Sequence, residues 1–402
     1  MSSPSPTVTR TQVAVVGAGP AGLMLTHLLH LAGIDSVAID LRARREIEET
    51  HRAGILEEDS VRLLVDSGAS TRVLTDGVRH DGIELGFGGA LHRIDFADGC
   101  GSSTRLYPQT EIFIDLADVR ARDGGDVRFG VTEVAVADLT GRPTMSFTDA
   151  DGTRHEVRAD ILVGADGSRS VCRRAVPEDQ RRQFFREYPF AWFGILCEAP
   201  PSADELIYNH SEQGFALISQ RTAQLQRMYF QCAPDDDPDA WSDDRIWTEL
   251  QSRLQANGHT LKEGRIIDKS VLPFRSFVQE PMRYGAMALA GDAAHTVPPT
   301  GAKGLNLALA DVRVLAEAVQ TALGSGDLDA LDAYSERALA RVWKAQYFSY
   351  WMTTLLHRLP DAEPFDVRRQ IGELSALAES AAGSSYLAQA YCGWPAHSRD
   401  RR

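Results

Sequence analysis

The hydrophobic pattern begins with a short β-branched run, Val13–Val16, that stops at a glycine. Such a run is typical of a buried parallel strand. Apolar residues then recur at helical spacing over residues 23–31, which predicts a helix. A second apolar run over residues 36–39 ends at Asp40. The pattern therefore predicts a strand–helix–strand unit near the start of the chain.

Three glycines, Gly17, Gly19 and Gly22, lie between the first strand and the helix with G-x-G-x-x-G spacing. Glycines at this spacing let the backbone turn tightly and approach a pyrophosphate, whose charge then faces the helix N-terminus. Asp40 comes close to the roughly 20 residues after the last glycine at which an acid that binds a ribose hydroxyl is expected. The sequence thus predicts a dinucleotide site, and these residues alone leave the identity of the dinucleotide open.

Two later stretches repeat the pattern of a strand followed by glycine. Residues 155–163 are strand-like and run into Gly-Ala-Asp-Gly, which contains Asp166, and an apolar strand after Ala286 runs into Asp292 and a glycine loop. Between them, residues 183–271 alternate in polarity and are rich in aromatic residues, which predicts an antiparallel sheet. The dinucleotide domain is therefore predicted to be discontinuous.

Four smaller stretches give further predictions. Alternation and glycines over residues 77–89 predict hairpin strands, with His80 at the surface, where its ordinary pKa would suit proton exchange with solvent. The arginines that follow Asp40 are predicted to lie on a solvated helix face with i,i+4 charge pairs. Arg52, at the edge of an apolar stretch, is placed to contact phosphates. A late aromatic stripe favours core packing or a subunit interface: Trp343, Tyr347, Phe348, Tyr350, Trp351 and Leu355.

Composition narrows the class of protein. The 402 residues are 43% hydrophobic and 24% charged, as in ordinary globular proteins. A net charge of −14 argues against a nucleic-acid or anionic-membrane partner. No apolar stretch approaches the ~20 residues of a membrane span and no signal peptide is evident, so we expect a cytoplasmic protein. Five scattered cysteines without a C-x-x-C pair indicate neither a disulfide framework nor a metal site.

Motifs along nearly the whole chain carry a resemblance. The segments GAGPAG, GADG and GDAAH, together with RAGILE, YPQTE, ELIY, GFALISQR and TVPPTGAKGLN, resemble the FAD-dependent aromatic hydroxylases (group A flavoprotein monooxygenases), in particular those acting on 4-hydroxybenzoate. The resemblance implies an α/β fold in which a Rossmann-like FAD-binding domain of the glutathione-reductase type is interrupted by an antiparallel-sheet substrate domain, with C-terminal helices. We expect the FAD domain at 10–80, 99–180 and 273–330, the substrate domain at 81–98 and 181–272, and a helical interface region at 331–395.

The activity that the resemblance implies is hydroxylation of a 4-hydroxybenzoate-type acid with NADPH or NADH and O2, through an FAD C4a-hydroperoxide, in a homodimer. A substituted substrate, such as 3-amino-4-hydroxybenzoate in secondary metabolism, is an alternative. A different class, a non-hydroxylating FAD oxidase or dehydrogenase or an FAD-binding sensor, is disfavoured because the residues expected to grip and deprotonate a phenolic acid are retained.

The resemblance also implies site residues. The expected contacts of non-covalent FAD are Gly17, Gly19, Gly22, Asp40, Arg52, Gln109, Asp166 and Asp292, with Gly301, Lys303, Gly304, Leu305 and Asn306 along the isoalloxazine. The expected substrate-binding residues are Ser219, Arg221, Tyr229, Tyr208 and Thr300. A guanidinium with two hydroxyls suits a carboxylate removed from water. The expected catalytic residues are Tyr208, Tyr391 and His80, which form a proton relay to solvent, and Pro299.

Departures from the family pattern affect the choice of nicotinamide. Thr50 stands where the family has an arginine, and Leu41 and Glu46 stand where it has contacts to NADPH. Nearby arginines could still attract a 2′-phosphate, so the sequence favours activity with either nicotinamide.

Overall fold

The computed structural model describes residues 6–50 and 54–394. The strands of this part of the chain are β1 (Thr7–Arg10), β2 (Val13–Val16), β3 (Ser36–Asp40), β4 (Ile55–Glu57), β5 (Val78–His80), β6 (Gly82–Phe87), β7 (Ala90–Asp95), β8 (Thr104–Leu106), β9 (Asp126–Phe129), β10 (Thr132–Ala137), β11 (Thr144–Thr148), β12 (Arg154–Arg158), β13 (Ile161–Gly164), β14 (Arg182–Glu198), β15 (Leu206–Asn209), β16 (Ala216–Gln220), β17 (Leu225–Cys232), β18 (Arg265–Glu280), β19 (Arg283–Tyr284), β20 (Met287–Leu289) and β21 (His295–Thr296). The helices are α1 (Pro20–Leu31), α2 (Arg44–Glu48), α3 (Glu58–Asp66), α4 (Arg72–Thr75), α5 (Phe96–Cys100), α6 (Gln109–Arg122), α7 (Val171–Ala175), α8 (Asp243–Gln255), α9 (Gly304–Ser325), α10 (Asp329–Leu356), α11 (Pro364–Glu379) and α12 (Ala381–Cys392).

The first of the two large sheets has six strands, in the order β19-β20-β13-β2-β3-β9. Its strands are parallel except for the β19/β20 pair. All four residues of β2 are buried, which explains why its sequence is uniformly apolar rather than alternating. The predicted strand–helix–strand unit is confirmed, and the carboxyl ends of β2, β3, β13 and β20 meet at one edge.

The second large sheet has eight strands, in the order β21-β18-β14-β17-β16-β15-β6-β7. All of its pairs are antiparallel except β15 with β6. Because side chains alternate along a strand, the sheet has two distinct faces. Ile218 and Met228 on one face join the cluster that includes Leu250 of α8. Leu217 and Tyr229 on the other face join a cluster with the C-terminal helices.

Residues 77–89 contain strands of two different sheets, and the predicted hairpin forms between β6 and β7. β5 joins a three-stranded sheet with β8 and β4, while β6 pairs with β7. The tight turn between β6 and β7 is at Gly88 and Gly89, whose φ angles of 62° and 90° favour glycine. The remaining sheet has the order β1-β12-β11-β10.

The late aromatic stripe divides between two environments on α10. Phe348 and Leu355 are buried in the core, whereas Trp343, Tyr347 and Tyr350 are 41%, 53% and 39% exposed. The stripe therefore serves core packing on one side of the helix and leaves an aromatic surface on the other. Within the residues described, no helix is both long and apolar enough to cross a membrane.

The basic segment after Asp40 forms the short helix α2, as predicted. Arg44 pairs with Glu48 at 2.7 Å and Arg45 with Glu49 at 2.6 Å, both at i,i+4 spacing. Arg44 is also ion-paired with Asp118 of α6. Arg52 lies outside the described residues.

Candidate active site

Three glycine-containing loops meet at the carboxyl edge of the six-stranded sheet. A Cβ on Gly17 would lie 2.2 Å from the carbonyl oxygen of Ala165, so the first loop is in close contact with the loop after β13. A Cβ on Gly291 would lie 3.7 Å from the Cβ of Ala21 in α1, which places the loop after β20 beside them. The carboxyl edge of an open parallel sheet is where such folds bind nucleotides.

Contacts within the protein do not explain the glycine at position 19. Its φ of −73° suits any residue, and a Cβ there would meet nothing within 4 Å. In contrast, a Cβ on Gly22 would lie 1.8 Å from the carbonyl oxygen of Gly17. No side chain caps the N-terminus of α1, and its first turn carries no acidic residue. The open backbone amides fit the pyrophosphate of FAD.

Asp40 braces the glycine loop from the end of β3. Its Oδ2 accepts a hydrogen bond from the amide of Ala18 at 3.0 Å, and its Oδ1 accepts one from the amide of Arg42 at 2.9 Å. A carboxylate has about four acceptor sites, so capacity remains for a ribose hydroxyl. Its position at the strand end is the one that the sequence predicts.

Asp166 and Asp292 follow β13 and β20 at the same edge. The carboxylate of Asp166 accepts hydrogen bonds from the Ser170 hydroxyl at 2.5 Å and the Val171 amide at 2.6 Å, so it caps α7 and fixes its own loop. Asp292 is half-buried in a 3-10 turn, Gly291–Ala293. Asp311 anchors that turn by accepting hydrogen bonds from the Gly291 amide and from His295 Nε2.

The predicted isoalloxazine loop connects a 3-10 turn, Pro299–Gly301, to the start of α9. A Cβ on Gly304 would meet a single atom, at 4.0 Å, so the backbone there is open. Leu305 is half-buried beside it, and Gln109 is half-buried at the start of α6.

The side chains of Lys303 and Asn306 are occupied elsewhere. Lys303 Nζ donates hydrogen bonds to Glu57 Oε1 at 2.7 Å and to the carbonyl of Tyr391 at 2.8 Å. Asn306 bonds to the backbone of Ile55, Glu57 and Ala302. These two residues therefore offer a flavin their backbone, while their side chains tie the loop to β4 and α12.

Two tyrosine hydroxyls meet behind this loop. Tyr208 Oη and Tyr391 Oη are 2.8 Å apart, and both side chains are almost fully buried. Burial raises the pKa of both hydroxyls above the ordinary phenol value, and the bond to Tyr391 offsets part of the rise at Tyr208. Both are therefore neutral at ordinary pH, and each can accept one proton while giving up another.

Ser219 and Tyr229 lie on the same face of the eight-stranded sheet as Tyr208. Leu217 pairs with both Tyr208 and Tyr229 across the strands, and Ser219 follows it at two-residue spacing. Arg221 lies one residue beyond the end of β16, with its guanidinium next to the Tyr229 side chain.

Arg221 has no carboxylate within ion-pair distance among the residues described. Burial lowers the pKa of Arg221 below its usual range, although the neighbouring Tyr229 side chain raises it in part. The Ser219 hydroxyl donates to the carbonyl of Arg227 at 2.9 Å. A partly desolvated guanidinium without an anion, beside two hydroxyls, is suited to a ligand carboxylate.

Arg227 is a neighbour that sequence reasoning missed. It donates to Asp268 at 2.7 Å and to Ser270 at 2.8 Å, and its Nε lies 3.3 Å from the Tyr229 hydroxyl. Its position two residues before Tyr229 on β17 was the available signal, since such residues share a face. Asp268 neutralises the charge of Arg227, so Arg221 is the cation that is available for a ligand carboxylate.

His80 is buried, contrary to the prediction of a surface residue. Its side chain is 1% exposed because β5 pairs with β8 and turns the ring toward Gln220 rather than toward solvent. The Gln220 amide donates to His80 Nε2 at 3.2 Å, so Nδ1 carries the ring proton. Burial lowers the pKa of His80. Among the described residues, no direct hydrogen bond joins His80 to Tyr208 or Tyr391.

This combination indicates a class of protein: an FAD-binding fold with a separate sheet face suited to a carboxylate ligand. A family model described as "FAD binding domain" matches residues 10–349. The p-hydroxybenzoate hydroxylase of Acinetobacter baylyi is 43% identical over 388 residues, which cover 96% of each chain. The chain belongs to this family of FAD-dependent aromatic hydroxylases, and it is a flavin-dependent monooxygenase.

More distant proteins agree on the fold. A 3-(3-hydroxy-phenyl)propionate/3-hydroxycinnamic acid hydroxylase of Burkholderia cenocepacia is 26% identical over 316 residues, 76% of this chain and 56% of that protein. The crystal structure of a p-nitrophenol 4-monooxygenase from Pseudomonas putida superposes with a TM-score of 0.80 at 18% identity, and the match covers 97% of this chain and 100% of that one.

Proposed function

We propose that this protein hydroxylates the ring of a 4-hydroxybenzoate-type acid with NADPH or NADH and O2. The observation that carries the proposal is the partly desolvated guanidinium of Arg221, which has no carboxylate partner among the described residues. It lies next to Tyr229, on the sheet face that also carries Tyr208, and the Tyr208 hydroxyl bonds to Tyr391. A benzoate with a para hydroxyl complements both ends, since its carboxylate pairs with Arg221 and its phenol reaches Tyr208. The A. baylyi relative, named for p-hydroxybenzoate, supports the same substrate class.

The substrate carboxylate binds Arg221, Tyr229 and Ser219, whose hydroxyl rotates from the Arg227 carbonyl toward the ligand. Buried Thr300 and the adjacent Pro299 form the part of the flavin loop that faces the ring. Tyr208 takes the phenol proton as it passes its own to Tyr391, so neither tyrosine stores charge. His80 is the residue from which the proton leaves for solvent. A bridging group must connect it to Tyr391, because no direct hydrogen bond joins the two in the described residues.

FAD binds non-covalently along the carboxyl edge of the six-stranded sheet. The pyrophosphate lies at Gly17, Gly19 and Gly22, a ribose hydroxyl at Asp40, and the isoalloxazine along residues 301–306. Asp292, Asp166, Gln109 and Arg52 complete the proposed contacts. When bound, FAD accepts a hydride from the nicotinamide and, with O2, supplies the oxygen atom that enters the ring.

The proposed domain division follows this assignment. Residues 10–80, 99–180 and 273–330 bind FAD, residues 81–98 and 181–272 bind substrate, and residues 331–395 form the helical region. We place the protein in the cytoplasm, where NAD(P)H is available and the five cysteines, all free here, stay reduced.

A homodimer is proposed from an aromatic surface formed by residues of β14 and α10. Phe184 and Phe185 are 41% and 59% exposed, and the ring of Phe184 lies 5.2 Å from that of the exposed Trp343. Tyr347 and Tyr350 extend the patch along α10. Aromatic residues of this density are enriched at subunit interfaces. Light scattering tests the proposal: Trp343→Ser with Tyr347→Ser should convert a dimer to monomers, and a monomeric wild type at micromolar concentration would contradict it.

The experiment for the proposed function is aerobic NAD(P)H oxidation by the FAD-loaded protein with a panel of hydroxy- and aminobenzoates and product identification. Arg221→Ala should lose the response to each acid, whereas Arg158→Ala, an exposed arginine of β12, is the matched control. Preference for an amino-substituted acid would refine the substrate. A wild type that responds to no acid would contradict the proposal.

A further inference from the structure

A buried histidine, His357, contacts three aromatic residues beside the proposed substrate pocket. We call these residues, Phe190, Trp192 and Phe215, the aromatic wall. Trp192 of β14 donates its indole N–H to His357 Nε2 at 2.7 Å, across 165 residues of sequence. Trp192 is 2% exposed and His357 is fully buried. An indole N–H can only donate, so Nε2 must accept, and Nδ1 carries the proton that it donates to the Thr353 carbonyl at 2.9 Å. The tautomer of His357 is therefore fixed by its partners.

The same histidine is held rigidly by stacking. Its ring lies 4.5 Å from Phe190 at an interplanar angle of 4°, and 4.4 Å from Phe215. Burial lowers its pKa to about 3, so the ring stays neutral and remains an acceptor over the physiological range. A neutral, immobile acceptor holds a tryptophan in one orientation.

Both ends of the proposed substrate site rest on this wall. The Trp192 ring lies 4.8 Å from Tyr229, which belongs to the carboxylate end. The Phe215 ring stacks 5.4 Å from Trp192 and lies 6.2 Å from Tyr208, which belongs to the phenol end. A shift of Trp192 would therefore change the distance between the two ends of the pocket.

The wall is also tied to the proposed flavin loop. The carbonyl of Thr353 accepts from His357, and its hydroxyl lies 3.0 Å from Thr300 Oγ1. Because the Thr353 hydroxyl donates its proton to the Ser349 carbonyl at 2.6 Å, Thr300 is the donor of this pair. Thr300 and Thr353 are both fully buried. The last turn of α10 thus connects Trp192 to the loop that carries Thr300 through two hydrogen-bonded side chains.

We propose that His357 is a positioning residue that sets the length of the substrate pocket by fixing Trp192, and so selects benzoates over longer aromatic acids. The inference rests on the proposed function and deepens it. Among the described residues, His357 makes no hydrogen bond or ring contact with Arg221, Tyr229 or Tyr208, which the substrate is proposed to contact. Its effect is therefore on the ratio of affinities for short and long acids, which a general loss of stability would leave unchanged.

The test compares dissociation constants for 4-hydroxybenzoate and for 4-hydroxyphenylacetate, which is longer by one methylene, measured on the FAD-loaded protein by ligand-induced shifts in Tm. A well-fitted pocket distinguishes one methylene by roughly 10- to 200-fold. His357→Leu removes the acceptor and should bring this ratio down by about tenfold or more. His357→Gln places an oxygen near the Nε2 position and should retain most of the discrimination.

His210 provides the matched control. It is also a buried histidine whose Nδ1 bonds to the last turn of α10, at the carbonyl of Leu356 at 2.9 Å. His210→Leu should lower stability without changing the ratio. Trp192→Phe, which removes the donor, should reproduce His357→Leu, and the double variant should be no worse than either single variant.

The outcomes separate the two claims. Equal affinity ratios for His357→Leu, His210→Leu and the wild type would overturn the role of His357 alone. Additive losses in the Trp192→Phe/His357→Leu double variant would do the same, because the two residues would then act independently. If His357→Leu fails to fold, the ratio for Trp192→Phe decides in its place. A wild type that binds no aromatic acid would overturn both this role and the proposed function.

Discussion

The hydroxyls of Tyr208 and Tyr391 are 2.8 Å apart although 183 residues separate them in sequence. Tyr208 is carried by β15 of the eight-stranded sheet and Tyr391 by α12, so the contact joins two elements that meet only in the folded chain. Two buried neutral hydroxyls in contact provide a route for a proton but no place to store its charge. This relationship supports the relay proposed for the phenol proton.

The first prediction concerns this pair. Tyr208→Phe and Tyr391→Phe keep the rings and remove the hydroxyls, so fold and FAD content should be retained. Product formed per NAD(P)H oxidised should fall, with H2O2 accounting for the difference, because an incompletely deprotonated phenol reacts slowly. Product analysis with a peroxide assay measures this coupling. Wild-type rate and coupling in both variants would mean that the relay is not used.

Arg221 provides the second prediction. Arg221→Ala should weaken binding of 4-hydroxybenzoate by about 2 to 5 kcal/mol, as when one partner of a desolvated charge pair is removed. Titration of the flavin absorbance gives the dissociation constant. Methyl 4-hydroxybenzoate, which lacks the charge, is the control ligand and should bind the wild type and the variant alike. An unchanged affinity for the acid would show that the guanidinium does not bind its carboxylate.

Gly19 allows the FAD site to be tested apart from the fold. A side chain at this position meets open space in the protein, so Gly19→Val should leave the Tm of the apoprotein nearly unchanged. The same side chain would block the approach of the pyrophosphate, so FAD binding should be abolished. Gly324→Ala, on an open part of α9, is the control and should bind FAD normally. A yellow Gly19→Val protein would place the pyrophosphate elsewhere.

The choice of nicotinamide is the fourth prediction. Arg44 is ion-paired with Glu48 and Asp118, and Arg45 is ion-paired with Glu49. The ion pair of Arg42 is longer, 3.6 Å from its Nε to Asp40 Oδ1, so Arg42 is the more available of the three for a 2′-phosphate. We expect activity with both NADH and NADPH, with kcat/KM differing by less than roughly a hundredfold, about 2.8 kcal/mol. A larger preference would show that the segment after Asp40 discriminates strongly.

The pKa of His357 gives a prediction for stability. It falls from 6.5 to about 3 on folding. Between these values the unfolded chain binds a proton that the folded protein does not, so the free energy of unfolding decreases as pH falls below about 6.5. His357→Gln removes this group, so the free energy of unfolding of the variant should fall less steeply than that of the wild type as the pH is lowered. The two slopes should differ by about 1.4 kcal/mol per pH unit near pH 5. Denaturant titrations at several pH values measure the slope, and parallel slopes would contradict the assignment.

The sequence predicts well the local elements that form the proposed FAD site. Strand β2, the glycines around Gly19 and Asp40 lie within one continuous stretch, so periodicity and spacing are sufficient to place them. The burial of His80 was not predictable in this way, because it depends on pairing of β5 with β8 rather than with its neighbour β6.

The substrate side depends on contacts between distant segments. The Trp192–His357 hydrogen bond joins a strand to a helix end, and neither residue has a local signal of the contact. Tyr208 and Tyr391 were identified through the family resemblance rather than through any pattern in their own segments. Alternation along β17 could have revealed Arg227 beside Tyr229, because that signal is local.

The central claim is tested most directly by supplying the FAD-loaded protein with 4-hydroxybenzoate, NAD(P)H and 18O2 and analysing the acid by mass spectrometry. The account predicts a monohydroxylated product that carries one labelled oxygen atom, formed in step with NAD(P)H oxidation. NAD(P)H oxidation in which all of the O2 becomes H2O2, with no labelled product from this acid or its ring-substituted analogues, would contradict it.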